Sequence, residues 1–279
     1  MTCCRLHLLC FIMCCASCSV IDHNVYRPNA AIFPGLSENG QSFFSAAAGG
    51  DLTGDGTQTV IGGFDVQGAY AMDSHLTLMG QISERSGHNV GYDQKIPGTF
   101  FAYDYIDSVN MKYGSATLEA GAMYSVRLNN RVYFTVGLGG GPGWFNLSDG
   151  GKFNDTTYHG YLRSRVTQWF LQPALLITCR RSDEIGVGVR LTQSYYGYVA
   201  TDYSKELQSA FNVSLLAGKT LTMVQTFADF RIHTHEPHLF VDMQFGFNFG
   251  EHSPSSQPLV YNWFGVYGNI GFAYRLGLN

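Results

Sequence analysis

Beyond residue 18 the chain has one cysteine, Cys179, because the other six of its seven stand at positions 3, 4, 10, 14, 15 and 18. No disulfide framework can therefore be drawn inside the body. Charge is scarce as well: 14% of residues are Asp, Glu, Lys or Arg, where soluble domains average ~25%. The net charge of −4 provides no basic field to attract nucleic acid, which is excluded as a partner. Past Ala16 no apolar run is long enough for a spanning helix, so any membrane integration has to use strands. Catalytic signatures are missing too. There is no G-x-S-x-G elbow and no H-E-x-x-H pair, and the glycine-dense stretch from Gly137 to Gly143 lacks G-x-G-x-x-G spacing. These absences lead to the expectation of a chain that is not an enzyme and carries no cofactor.

What is abundant is glycine (33) and aromatic residues (20 Phe, 17 Tyr). The stretch from Phe264 to Leu278 shows how they are arranged. Phe264, Val266, Ile270, Phe272, Tyr274, Leu276 and Leu278 alternate with Gly265, Tyr267, Asn269, Gly271, Ala273, Arg275 and Gly277. A period of two puts each set on its own face of a strand. Globular strands run ~5–6 residues, whereas a tilted strand crossing a bilayer needs ~9–11. One face is large and apolar and the other small or polar, which fits lipid outside and a packed polar lumen inside.

The same alternation is read, weakly and with many small residues at Gln41–Gly49 and more clearly at Ile61–Met72, His75–Arg85, Thr117–Arg127, Arg131–Phe145, Arg165–Thr178, Glu184–Tyr198, Leu221–His233 and His238–Gly250. Pro173 counts mildly against the sixth of these, since proline removes a ladder donor. The connections alternate between long (51–58, 86–114, 146–159, 199–219, 251–262) and tight (73–74, 128–130, 180–183, 234–237). Outer-membrane barrels sort their connections this way, with short periplasmic turns, long extracellular loops and, for an even strand number, both termini in the periplasm. The expected fold is all-β: a closed antiparallel up-and-down transmembrane β-barrel of about ten strands. Its inferred lumen face carries Asp65, Glu119, Arg127, Arg190, Asp229, Arg231, Asp242 and Arg275. Mixed signs there predict a salt-bridged interior, and a ten-strand barrel is narrow enough to be substantially plugged.

The N-terminus reads as an export signal: Arg5, then a largely apolar run from Leu6 to Ala16, then small residues. Cys15-Ala16-Ser17-Cys18 fits the pattern cleaved before a cysteine that is then acylated, with ordinary signal-peptidase cleavage as the alternative. The chain divides into residues 1–18 as a lipoprotein-like signal peptide, 19–40 as a periplasmic tether or plug segment, and 41–279 as the barrel. Three other clusters invite a chemical reading. Asp51, Thr53, Asp55 and Gly56 mimic the start of a calcium loop, but position twelve is Gly62, where a bidentate Glu is needed. His233, His235 and His238 are dense enough to hold Zn or Cu, yet a solvated turn accounts for them. His75 or His159 with a nearby Ser could serve a lipid-modifying enzyme at the membrane edge.

Two stretches ahead of the first strand, Tyr26-Arg27-Pro28-Asn29 and Phe33-Pro34-Gly35-Leu36-Ser37-Glu38-Asn39-Gly40, together with Gly63-Phe64-Asp65-Val66-Gln67-Gly68-Ala69-Tyr70-Ala71, resemble outer-membrane β-barrel lipoproteins of Bacteroidetes-type bacteria. More broadly the chain is similar to small barrels of the OmpA/OmpX/OmpW type. That resemblance implies the cell outer membrane as location, and outer-membrane lipid and the barrel assembly machinery as partners. Such barrels usually end in an aromatic residue read by that machinery, whereas this sequence ends Leu278-Asn279, with Phe272 and Tyr274 close by. The expected role is structural, adhesive or small-solute transport, with an extracellular ligand or partner left open. The rivals are an outer-membrane lipid-modifying enzyme and a soluble lipocalin-like ligand-binding barrel.

Overall fold

The computed structural model describes residues 29–36, 38–53, 60–92, 106–153, 156–179, 183–210, 216–236, 238–250 and 264–277. Cys18 and the rest of the signal segment lie outside the described residues, as do residues 54–59 of the calcium-like loop and the final two residues. Ten strands follow the alternation: β1 Ser42–Thr53, β2 Val60–Ala71, β3 Leu76–Tyr92, β4 Ile106–Arg127, β5 Val132–Phe153, β6 Thr156–Thr178, β7 Glu184–Thr201, β8 Thr220–His233, β9 Leu239–Gly250 and β10 Phe264–Leu276. A short helix, α1 (Lys205–Ala210), lies between β7 and β8 among the described residues. Each strand pairs antiparallel with its chain neighbours, and β1 closes on β10 from Ser42↔Leu276 to Thr53↔Gly265, making a closed barrel.

Closure is a packing problem at β1, whose weak pattern of small residues becomes intelligible there. Asn269 of β10 stands opposite Gly49 of β1, and its amide reaches past that strand to donate to Asp65 Oδ2 on β2 at 2.9 Å. A Cβ on Gly49 would collide with the Asn269 amide. The small residues thus let one hydrogen bond span the seam.

The outward face is apolar: Phe44, Phe64, Leu138, Trp169, Leu171, Phe245, Phe247, Ile270 and Phe272 are all exposed. A soluble barrel would instead present polar groups there. On β6 the outward residues change from Leu175, Leu171 and Trp169 to Thr167, Arg165, Arg163 and His159, all exposed. On the facing β5, exposed Trp144 is followed by exposed Asn146. This change of outward character explains why segments 86–114 and 146–159, expected as loops, are largely strand. In β4 the inward residue is Met111 between exposed Asn110 and Lys112, and in β5 Leu147 and Asp149 point inward between Asn146 and Ser148. Beyond the outward apolar band the apolar residues are inside and the polar ones outside, so no greasy outer stripe advertises the strand. Cross-strand pairing nevertheless continues to Tyr92↔Ser108 and Phe153↔Thr156.

The tight turns are built by side chains. Asp73 Oδ1 accepts from the backbone N–H groups of His75 (2.6 Å) and Leu76 (2.8 Å), which hold its carboxyl below the ordinary range. Asn129 Oδ1 accepts from Arg131 N at 2.9 Å. Pro173 is accommodated because the β6–β7 ladder skips from Leu171↔Leu191 to Ala174↔Gly188.

Candidate functional site: an occupied lumen

Residues 29–36 lie inside the barrel. Asn29, Ala30, Ala31, Ile32, Phe33 and Leu36 are all buried, and the backbone carbonyls of this segment are held by side chains from six strands. Gln225 Nε2 donates to Asn29 O (3.0 Å), Arg190 to Ala30 O (3.4 Å), Gln67 and Gln244 to Ala31 O (3.3 and 3.0 Å) and Gln172 to Ile32 O (2.7 Å). Gln244 Oε1 also accepts from Ala31 N at 2.7 Å, so one amide satisfies both backbone groups of that residue. Toward the tight-turn end Arg231 donates to Phe33 O, and Arg275 to Pro34 O at 3.4 Å. The Phe33 ring lies against Gly186, where a Cβ would overlap it, and meets Phe227 edge-on at 6.0 Å between centroids. Extended backbone has no hydrogen-bond partners of its own, so burying it in a lumen requires such a cradle.

Around the segment the inward charges are organised into three groups. Asp65 pairs with Arg85 at 2.7 Å and accepts from Gln81 (2.9 Å), Ser83 (2.5 Å) and Asn269 (2.9 Å). Glu119 pairs across the lumen with Arg190 at 2.6 Å, and the guanidinium lies 3.9 Å from the Phe170 ring centroid. The third group lies near the tight-turn end: Arg231 meets Asp229 at 2.8 Å and both Glu184 and Asp242 at 3.4 Å, while Arg275 meets Glu184 at 2.8 Å. Seven of the eight charges read from the alternation are thus drawn into the interior. Arg127 is not: it is exposed at the turn end, donating to Asn129 O (3.2 Å) and Asn130 Oδ1 (3.1 Å). It sits at the last residue of β4, where an inward parity no longer leads into the lumen.

No family model and no curated protein matches the sequence. Among solved structures, the chain is similar to the translocator domain of the autotransporter NalP from Neisseria meningitidis, with 11% identity over 86% of this chain and 90% of that one and a TM-score of 0.49. It is also similar to the outer membrane protease OmpT from Escherichia coli, with 10% identity, coverage of 89% and 99% and a TM-score of 0.45. A third likeness is Ail, the attachment invasion locus protein of Yersinia pestis, with 14% identity, coverage of 85% and 99% and a TM-score of 0.31. The likeness is one of fold, a closed β-barrel. The expectation of a chain that is not an enzyme is corrected by this finding: one of these barrels is a protease, so the architecture does not separate catalytic from non-catalytic members.

The glutamines of the cradle, Gln67, Gln172, Gln225 and Gln244, do not stand out by charge or motif. Their signal in the sequence is a repeated uncharged amide on the inward face of four separate strands. The glycine stretch of β5 serves the same interior: Gly137 faces Met79, Met123 and Gln172, and a Cβ on Gly139 would come within 2.8 Å of the Phe170 ring. Beyond the band of outward apolar residues a second core is formed by Met111, Phe145, Leu147, Tyr158, Leu162, Tyr196 and Leu221, covered by Tyr203 and by Leu207 of α1. Tyr203 donates to Asp149 Oδ1 at 2.6 Å; burial, reinforced by that carboxylate, pushes its hydroxyl far above the ordinary tyrosine range.

The histidines stay apart. His233 packs edge-on to Phe240 (4.7 Å), His238 lies against Tyr274 (5.9 Å) and His235 is exposed, and among the described residues no three His, Cys, Asp or Glu converge. At the other turn, Ser74 Oγ (2.9 Å) and Asp73 Oδ1 (4.0 Å) both approach the same nitrogen, His75 Nδ1. An imidazole relay would need them on opposite nitrogens.

Proposed function

We propose that this chain is a closed outer-membrane barrel of structural or adhesive type whose working surface is its long-loop end. In this reading the lumen serves stability and carries no solute. The observation that carries it is the buried segment 29–36, whose carbonyls are held from six strands. The exposed apolar band and the sorting of tight turns to one end support insertion in the outer membrane with those turns facing the periplasm. We also propose that residues 1–18 direct export, that Cys18 is acylated, and that the barrel assembly machinery inserts the body.

Two measurements test the reading. Recovery in the outer-membrane fraction with a boiling-dependent gel shift is expected, together with no discrete conductance steps in planar bilayers. Release in a soluble fraction would remove the membrane assignment. Steady conductance by the intact protein would remove the closed lumen and leave small-solute transport.

A further inference from the structure

Beyond the apolar band, three adjacent strands carry outward charge of one sign. Among the described residues, the outward lysines and arginines that strands present away from the tight turns are Lys112 on β4, Lys152 on β5, and Arg163 and Arg165 on β6, all exposed. The described outward side chains of these strands include no carboxylate, since Glu119 and Asp149 point inward. Glu84 stands on β3, and Asp202, beyond β7, is engaged at Oδ1 by Tyr161 N at 2.7 Å. Lys112, Arg163 and Arg165 form no ion pair among the described residues.

The strand register fixes the depth of these charges. Ile82 of β3 pairs with Leu118 of β4, and both are exposed members of the apolar band. The next outward rung, two residues on, runs from Ala116 through Trp144 and Arg165 to Tyr198 on β7. Trp144 and Tyr198 are exposed on either side of Arg165, whose guanidinium has no partner among the described residues. Arg163 is on the rung after that, opposite Asn146. Its Nε donates to Asn146 Oδ1 at 3.2 Å and its guanidinium lies 4.8 Å from the Tyr161 ring, which leaves both Nη groups without a hydrogen-bond partner among the described residues. Lys112 follows one rung further out, opposite Ser148. Rungs of like orientation lie ~7 Å apart and neighbouring strands ~4.8 Å apart, so the three side chains converge on one face just past the band. Across the barrel β9 ends at Gly250 with Phe245, Phe247 and Phe249 outward, and it has no such rung.

We infer that this face of β4 to β6, from Arg165 to Lys112, binds the phosphate-bearing headgroup of an outer-leaflet lipid. The inference rests on the proposed outer-membrane insertion with the tight turns toward the periplasm. Arginine packs its stem along apolar surface and holds its guanidinium in the polar layer beyond, where paired N–H donors match phosphate oxygens. Exposed Trp and Tyr at the end of an apolar band mark headgroup depth. A cationic face without a protein counterion at that depth is complementary to an anionic headgroup, and the one-sided wall holds that lipid on one side of the barrel.

The test uses the full chain folded in dodecylmaltoside micelles, titrated with a bisphosphorylated lipid A and with the same glycolipid lacking its phosphates. Native mass spectrometry counts the lipid retained, and a boiling-dependent gel shift confirms that each variant folds. The parent is expected to retain the phosphorylated lipid selectively. Arg163→Gln with Arg165→Gln should weaken that retention roughly thirtyfold. Arg127→Gln with Arg131→Gln removes the same charge from exposed positions at the turn end and should leave it unchanged. Equal retention of the two lipids, or equal weakening by the two double variants, overturns the inference. So does inorganic polyphosphate binding the parent as tightly as the lipid, which would make the face a site for soluble polyanions. The orientation is checked separately by an epitope in the Asn129–Asn130 turn, expected to be read by antibody only on permeabilised cells. Reading on intact cells removes the orientation and with it the outer leaflet. Outer-membrane recovery with the epitope hidden and no phosphate-selective retention removes the lipid site alone.

Discussion

Glu119 and Arg190 meet at 2.6 Å with both side chains about 1% exposed, and the guanidinium also serves Ala30 O and the Phe170 face. Removing one partner of such a pair strands the other charge in the interior, which costs ~3–5 kcal/mol, whereas an apolar replacement of both is far milder. Arg190→Met is therefore expected to lower the unfolding free energy of the barrel in lipid vesicles by that amount, read from the denaturant midpoint and slope, and the double variant with Glu119→Leu to recover much of it. Tyr203 offers a pH dependence at the same scale. Its folded pKa lies above the unfolded value of ~10, so the stability it contributes is complete below pH 10 and is lost as pH rises through the folded pKa. Near-ultraviolet circular dichroism should show the aromatic core beneath α1 loosening above pH 10 in the parent. In Tyr203→Phe that step should shrink to the part contributed by Tyr158, whose hydroxyl is also raised by burial beside Asp149, the core being uniformly weaker at neutral pH.

The cradle of four glutamines and three arginines holds the lumen segment by its backbone, so its hold depends little on which side chains the segment carries. Shape is decided at one place, where Phe33 occupies the space that Gly186 leaves. Gly186→Val is expected to push the Phe33 ring out of that space and loosen the segment. Discrete openings should then appear in planar bilayers where the parent shows none, with the boiling-dependent gel shift retained. Unchanged silence in a folded variant would mean that the carbonyl contacts alone keep the lumen shut.

Across the molecule the outward surface divides into an apolar band and a polar wall made by the outer ends of β3 to β7. β5 and β6, with 22 and 23 residues, are about twice as long as a bilayer requires, while β1, β2 and β9 have 12 each. The wall therefore rises on one side only. A charge introduced into the band should be costly and the same charge on the wall should not. Phe272→Arg is expected to lower unfolding free energy by ~2–4 kcal/mol in vesicles, and Thr167→Arg to change it by less than ~0.5 kcal/mol.

Local alternation determined much of this architecture on its own, because a strand with lipid on one side and a packed lumen on the other must write a period of two into its side chains. The ten strands, the tight turns and the inward placement of Asp65, Glu119, Arg190 and Arg275 are legible that way. Where the outward apolar band ends the outward residues become polar, the contrast that marks a strand disappears, and the outer ends of β3, β4, β5 and β6 read as loops. Partnership was decided only in three dimensions. Glu119 and Arg190 are 71 residues apart, Gln225 and Asn29 are 196 apart, and nothing local distinguishes these side chains from Arg127, which the end of its strand leaves in solvent. The direction of the lumen segment belongs to the same class, since it depends on which depth of the closed barrel each carbonyl meets, a quantity that exists only once β1 has paired with β10.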